Sequence, residues 1–234
     1  MNPLEIIHPS WNNVIHPAIN NNPLLDELKE KILPNISYQP EPKNIFKAFS
    51  LPMSSFKICI LGQDVYPTPQ DGVGLSFVNG TPKIPASLRI IYKELEKEGF
   101  EYHGINKWFN QGVLLLNTAL TVETGNPGSH LKYWEQFSEE VIKRFSKDNP
   151  CIWILWGKHA QNFQKFIYRP VDTNLYDMKD IYHIPIDPEC NYILKSAHPA
   201  AETYAGGKAG FYGNNHFLKS NVLLKLFNKK EIEW

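Results

Sequence analysis

Four short apolar segments of this chain each run into residues able to do chemistry. Lys57–Gly62 is followed by Gln63-Asp64-Val65-Tyr66-Pro67, Val113–Asn117 ends on Asn117 and is followed by Thr118, Cys151–Gly157 ends on Gly157 and is followed by Lys158-His159-Ala160, and Asn191–Ala197 is followed by His198-Pro199-Ala200-Ala201. A carboxylate, a carboxamide, an imidazole and a phenol supply charge, proton transfer and paired donor and acceptor groups. None of the four ends carries a glycine-rich phosphate loop, so a nucleotide cofactor is disfavoured. None carries a Ser or Cys nucleophile elbow or a His/Cys cluster with metal spacing, so neither that chemistry nor a metal is expected. Each residue also has a purely structural explanation. Asp64 can cap a turn shaped by Pro67 and Pro69, Asn117 can form an Asx turn, and His198-Pro199 can stiffen the start of a loop. Their recurrence at four segment ends favours a shared site.

The elements that must position these residues follow from patterning. The four apolar segments do not alternate polar and apolar residues, which predicts strands covered on both faces, the habit of a parallel sheet. Helical stripes lie between them: Leu88, Ile91, Tyr92 and Leu95, stopped by Gly99; Trp134, Phe137 and Val141; and Leu223, Leu226 and Phe227. Pro23–Ile32 reads as one more helix. Alternating strand and helix predicts an α/β fold: a single three-layer α/β/α domain over residues 1–234, with a central, mainly parallel four-stranded sheet. Ligands of such folds bind beyond the carboxyl ends of the strands, where the residues above lie.

Composition narrows the class further. The 234 residues are 42% hydrophobic and 21% charged, ordinary for a globular core. The longest clean apolar run, Cys151–Trp156, is too short to cross a bilayer, and the first residues lack the pattern of a secretory signal. Three cysteines without paired spacing fit a reducing compartment. The charge is balanced, 24 basic against 24 acidic residues, so no strongly basic coat exists. Residues 195–230 nevertheless hold six lysines against Glu202, which predicts either a basic face able to dock phosphates or a solvated lysine-rich helix.

Several blocks carry a resemblance. Gly62-Gln63-Asp64-x-Tyr66-Pro67 resembles the water-activating loop of family 1 uracil-DNA glycosylases. The likeness continues through Gly74-Leu75-Ser76-Phe77, Ile84-Pro85-Ala86-Ser87-Leu88, Gly112–Asn117, Leu155–Ala160, His198-Pro199, Gly210-Phe211-Tyr212-Gly213 and the terminal Ile232-Glu233-Trp234. The blocks keep the family's order from about Trp11 to Trp234. The resemblance implies flipping of uracil out of DNA, at a cost of roughly a few kcal/mol, and hydrolysis of its N-glycosidic bond to free uracil and an abasic site. It puts the base against Phe77. Asn117 would pair with O4 and N3–H of uracil, a pattern that cytosine reverses, and Tyr66 would fill the space of the thymine methyl. Asp64 would position water and stabilise the oxocarbenium-like sugar. His198 would stabilise the departing anion at O2, helped by the backbone N–H of Gln63. One carboxylate can suffice because uracil is a better leaving group than an alkoxide.

No metal, organic cofactor or lysine nucleophile is implied. The expected partner is uracil-containing DNA, single- or double-stranded, with no membrane and no second subunit; the expected setting is the cytoplasm, or a nuclear or viral one. DNA contacts would come from Pro85 and Ser87, the latter also a good helix N-cap. The chain departs from the family elsewhere. Val65 replaces a proline, Lys158 a small serine, and Ala200, Ala201 and Glu202 replace serine, proline and the wedge leucine of the His-Pro loop, which is also longer here. Lys158 and Thr203 are expected to meet phosphates. Tyr204, on a loop loosened by Gly206 and Gly207, is expected to enter the duplex in place of Glu202. Two other classes stay open: a non-catalytic DNA-binding scaffold, against which Asp64, Asn117 and His198 speak, and a general nucleotide-binding α/β enzyme.

Overall fold

The computed structural model describes residues 2–234. In chain order it forms α1 (Asn12–Asn20), α2 (Pro23–Glu27), β1 (Tyr38–Gln39), β2 (Ile58–Asp64), α3 (Ala86–Lys97), α4 (Asn106–Asn110), β3 (Val113–Ala119) and β4 (Val122–Glu123). It continues with α5 (Leu131–Asp148), β5 (Ile152–Trp156), α6 (Gly157–Asn162), β6 (Pro170–Asp172), β7 (Asn191–Ser196), α7 (Ala201–Ala205) and α8 (His216–Leu226). Helix α2 begins where Pro23 takes its first position and Asn22 Oδ1 accepts from the amides of Leu24 (3.2 Å) and Leu25 (3.3 Å). A π-helical turn, Leu28–Ile32, extends it over the rest of the expected helix.

β2, β3, β5, β6 and β7 build one parallel sheet in the order β3-β2-β5-β7-β6, surrounded by helices. The expected four-stranded sheet is corrected to five. The additional strand, β6, has three residues, begins with a proline and is at most half-buried, so no apolar run announces it. It is a strand because Val171 pairs opposite Tyr192 on β7. The other four are the predicted segments. Every residue of β3 and β5 is buried, as coverage of both faces demands. β1 and β4 pair separately and antiparallel.

The helical stripes pack into the core, α5 against β3 and α8 against β5. Leu88, Ile91 and Leu95 of α3 are fully buried. Gly99, at φ +84°, ends that helix, and the Phe100 amide donates back to the Leu95 carbonyl (3.0 Å). On α5, Trp134, Phe137 and Val141 are buried. On α8 Leu223 is buried, whereas Leu226 and the following Phe227 are half-buried. Among the described residues no helix is long and apolar enough to cross a membrane. All three cysteines are buried and free.

Candidate active site

The register of β2 and β3 sets the first pair of groups. Gly62 lies opposite Asn117, and Asp64 opposite Ala119. Asn117 is 2% exposed, and its Oδ1 crosses directly over Gly62. A Cβ at Gly62 would lie 2.4 Å from that oxygen and 2.8 Å from Ser76 Cβ, so only glycine fits. The Asn117 Nδ2 is buried and has no hydrogen-bond partner. An unpaired buried donor costs about 1–3 kcal/mol, a cost that a ligand acceptor would remove.

The segment after β2 returns across the sheet. The Ser76 amide donates to the Leu115 carbonyl (3.0 Å) and the Ser76 hydroxyl to the Ile60 carbonyl (3.2 Å). Phe77 follows at φ +61°, a left-handed conformation that a bulky residue rarely adopts. Its ring meets Trp156 edge-on at 5.4 Å and tilts toward the His198 ring at 6.0 Å. Trp156 closes the floor. Its indole donates to His216 Nδ1 (3.0 Å), and burial holds that imidazole down at a pKa of about 3, so it accepts as a neutral ring.

Asp64 is half-buried at the end of β2. Its Oδ2 accepts from the Gly128 amide (2.5 Å), a residue far along the chain. Burial raises its pKa above the ordinary 3.8, opposed by that amide and by Gln63. Behind it, the Thr118 hydroxyl donates to the Gln63 carbonyl (2.8 Å) and so must accept from His159 Nε2–H (2.7 Å). His159 thus fixes the Gln63-Asp64 peptide from below.

His198 follows β7. Its Nδ1 accepts from the Ala200 amide (3.2 Å), and burial lowers its pKa below 6.5. A neutral ring that accepts at Nδ1 carries its proton on Nε2. Gly157, at φ +86°, makes room for it: a Cβ there would lie 2.8 Å from His198 Cβ. A small cleft opens between these groups, lined by Gly62, Gln63, Trp156, Gly157, Lys158 and His198. His198 and the Trp156 ring line it directly, whereas Asn117, Asp64 and Phe77 adjoin it through Gly62, Gln63 and Trp156 without lining it.

The remaining expected residues surround the cleft unevenly. The Tyr66 hydroxyl is 3.0 Å from Ser87 Oγ, and burial pushes its pKa up to about 12, so it stays a phenol. Ser87 does not cap a helix, which corrects that expectation. Pro85 occupies the N-cap, and Ser87 sits buried as the second residue of α3, within hydrogen-bond distance of Tyr66. Lys158 is exposed on α6 at the rim. Thr203 and Tyr204 are exposed on α7, Tyr204 at 91%. The lysines of residues 195–230 do not gather into one basic face. Lys195 pairs with Asp172 (2.5 Å) and Lys225 with Glu231 (3.2 Å). Lys229 and Lys230 crowd Lys57 at the amino end of β2, where burial and then their charges lower its pKa. Among the described residues, no group of three or more His, Cys, Asp or Glu side chains could hold a metal ion.

A sequence profile of the uracil-DNA glycosylase superfamily matches residues 50–225. The uracil-DNA glycosylase of Enterococcus faecalis is 36% identical over 241 residues, 98% of this chain and 96% of the relative. That of Fusobacterium nucleatum is 38% identical over 218 residues, 90% and 87% of the two chains. The crystal structure of mimivirus uracil-DNA glycosylase superposes with a TM-score of 0.79 at 26% identity, covering all of this chain and 89% of the other.

Proposed function

This chain belongs to the uracil-DNA glycosylase superfamily, and from that membership we infer how its cleft removes uracil from DNA. It excises uracil as the glycosylase of base excision repair. We propose that it does so in the family 1 manner, with residues 1–234 acting as one three-layer domain, without metal or cofactor, on uracil-containing DNA of one or two strands.

The observation that carries the proposal is the unpaired Asn117 amide, buried beside Gly62. A flipped uracil lying on the Phe77 ring offers O4 to that Nδ2–H and N3–H to Oδ1. Cytosine reverses both groups and would leave the carboxamide mismatched in a buried place, a penalty able to exclude it by roughly 10⁴-fold. Tyr66, tied to Ser87 at 3.0 Å, bars the thymine methyl by volume.

Hydrolysis then proceeds by breaking the C1′–N1 bond with positive charge developing on the sugar. Asp64, held by the Gly128 amide, stabilises that charge and orients the attacking water. The electron pair leaves with the base. The His198 Nε2–H, fixed by the Ala200–Nδ1 contact, donates to O2 as its charge grows, together with the Gln63 amide. Lys158, Pro85, Ser87 and Thr203 are assigned to the DNA backbone, and Tyr204 to the stack that the base vacates. The protein works as a monomer in the cytoplasm.

The test is incubation with a uracil-containing oligonucleotide in EDTA, followed by alkali to cut abasic sites. Cleavage at uracil is expected, with Asp64→Asn losing most activity while retaining DNA binding. A metal requirement, or near-normal turnover in Asp64→Asn, overturns the mechanism.

A further inference from the structure

Glu202 aligns with the family's apolar wedge, yet it does not face solvent. It is 4% exposed. Its Oε2 accepts from the Ala209 amide (3.0 Å), and its Oε1 from the amides of Phe211 (2.6 Å) and Tyr212 (3.1 Å). Its own amide donates to the Pro199 carbonyl (3.1 Å), and its carbonyl accepts from Gly207 (3.3 Å). One residue thereby ties together the two ends of the loop 199–212.

Both ends touch the cleft. At one, the Ala200 amide orients His198 (3.2 Å). At the other, Phe211 is fully buried and packs on Trp156 at 5.2 Å, which itself packs on Phe77 at 5.4 Å. Between the tied ends, residues 203–208 are all exposed, with Tyr204 at the crest of α7. A lengthened loop containing Gly206 and Gly207 would otherwise sample many conformers, and ordering them at the moment of DNA binding would cost affinity.

We propose that Glu202 is a positioning residue for excision from duplex DNA: its carboxylate closes the loop 199–212 on itself, so that α7 stands preformed and presents Tyr204 to the stack. The charge that would be misplaced in a duplex is turned inward as a clamp, and the wedge function moves two residues on. Burial works against the ionised form, but the amides around the carboxylate outweigh it and hold the pKa below the ordinary range, so the clamp stays charged at neutral pH. The inference rests on the excision reading above.

The test uses the full chain and a single-uracil oligonucleotide, as single strand and as duplex. Glu202→Ala removes all three acceptor contacts. Glu202→Gln keeps Oε1 for Phe211 and Tyr212 and loses the contact to Ala209. Glu202→Ala is expected to lose about tenfold or more in kcat/KM on duplex and clearly less on single strands, with Glu202→Gln between it and wild type. In a Tyr204→Ala background the duplex-specific part of the loss should vanish, because the two changes act through one contact. Amide hydrogen exchange at residues 209–212 should quicken about tenfold or more in Glu202→Ala, with β2 unchanged. Equal losses on both substrates, a glutamine no better than alanine, or unaltered exchange would overturn the proposal. A wild type that releases no uracil would instead overturn the excision reading, and the exchange comparison would still report on the clamp.

Discussion

Placing a methyl group at Gly62 should disable the base reader without unfolding the protein. Gly62→Ala sets a Cβ 2.4 Å from Asn117 Oδ1, where ordinary contact begins at 3.4 Å. The carboxamide must therefore withdraw by about 1 Å, and it is 2% exposed, with little free space to enter. A misplacement of that size costs about 100-fold in rate. The same overpacking should cost about 1–3 kcal/mol of stability. Both are measurable: kcat/KM on a uracil-containing duplex, and urea unfolding followed by circular dichroism. Gly99→Ala is the control. It sits at φ +84° with nothing within 4 Å of its Cβ, so it should lose stability through backbone strain alone and keep its activity. A Gly62→Ala enzyme with wild-type rate and stability would refute the role given to this contact.

Asn117→Asp should admit cytosine and Tyr66→Ala a little thymine; oligonucleotides carrying each base read this out, and strict uracil specificity in both variants would sink the assignment. Activity should fall toward acid, because the Asp64 carboxyl is raised from 3.8 and loses its working charge as pH drops through the raised value. If Asp64 sets it, the acid limb should persist in His198→Gln, and its disappearance there would move the limb to the imidazole, whose own pKa burial lowers from 6.5. Tyr204→Ala should lose more on duplex than on single strands, by roughly the 1–3 kcal/mol of one stacked base, and equal losses would leave the tyrosine without a wedge role. Glu98 accepts from the Leu218 amide (2.8 Å) at the start of α8, and burial raises its pKa to about 8. A raised carboxyl favours the protonated fold, so its contribution is present in acid and lost as pH rises through about 8. Glu98→Gln should then be the more stable protein in mild alkali, by about 1–3 kcal/mol, and no gain in urea unfolding there would contradict it.

The parts legible in the sequence were those with an unbroken physical signature. Runs such as Val113–Leu116 must be buried on both faces, and Asn117 could be suspected because it interrupts such a run at its end. The parts that escaped depend on partners distant in the chain. Nothing local says that the Gly128 amide meets Asp64, or that Trp156 leans on His216. Glu202 reads as a surface charge until the chain's return places three amides around it. Ser87 has the right chemistry for a cap but sits two residues past the N-cap, with Tyr66 within reach.

The short strand β6 has a consequence for endurance. It pairs along Asn191, Tyr192 and Ile193, the root of β7. Without it, β7 would be the margin of the sheet, with a row of bare N–H and C=O groups open to water or to a stray strand from another chain. His198 would then hang from the first part of the sheet to fray. With Asn191 donating to the Arg169 carbonyl (3.1 Å) on one side and β5 paired on the other, that root is laced along both flanks. The margins fall to β3 and to β6 itself, which bears no expected site residue. Fraying at that end of the sheet is thus taken first by a strand that bears no expected site residue.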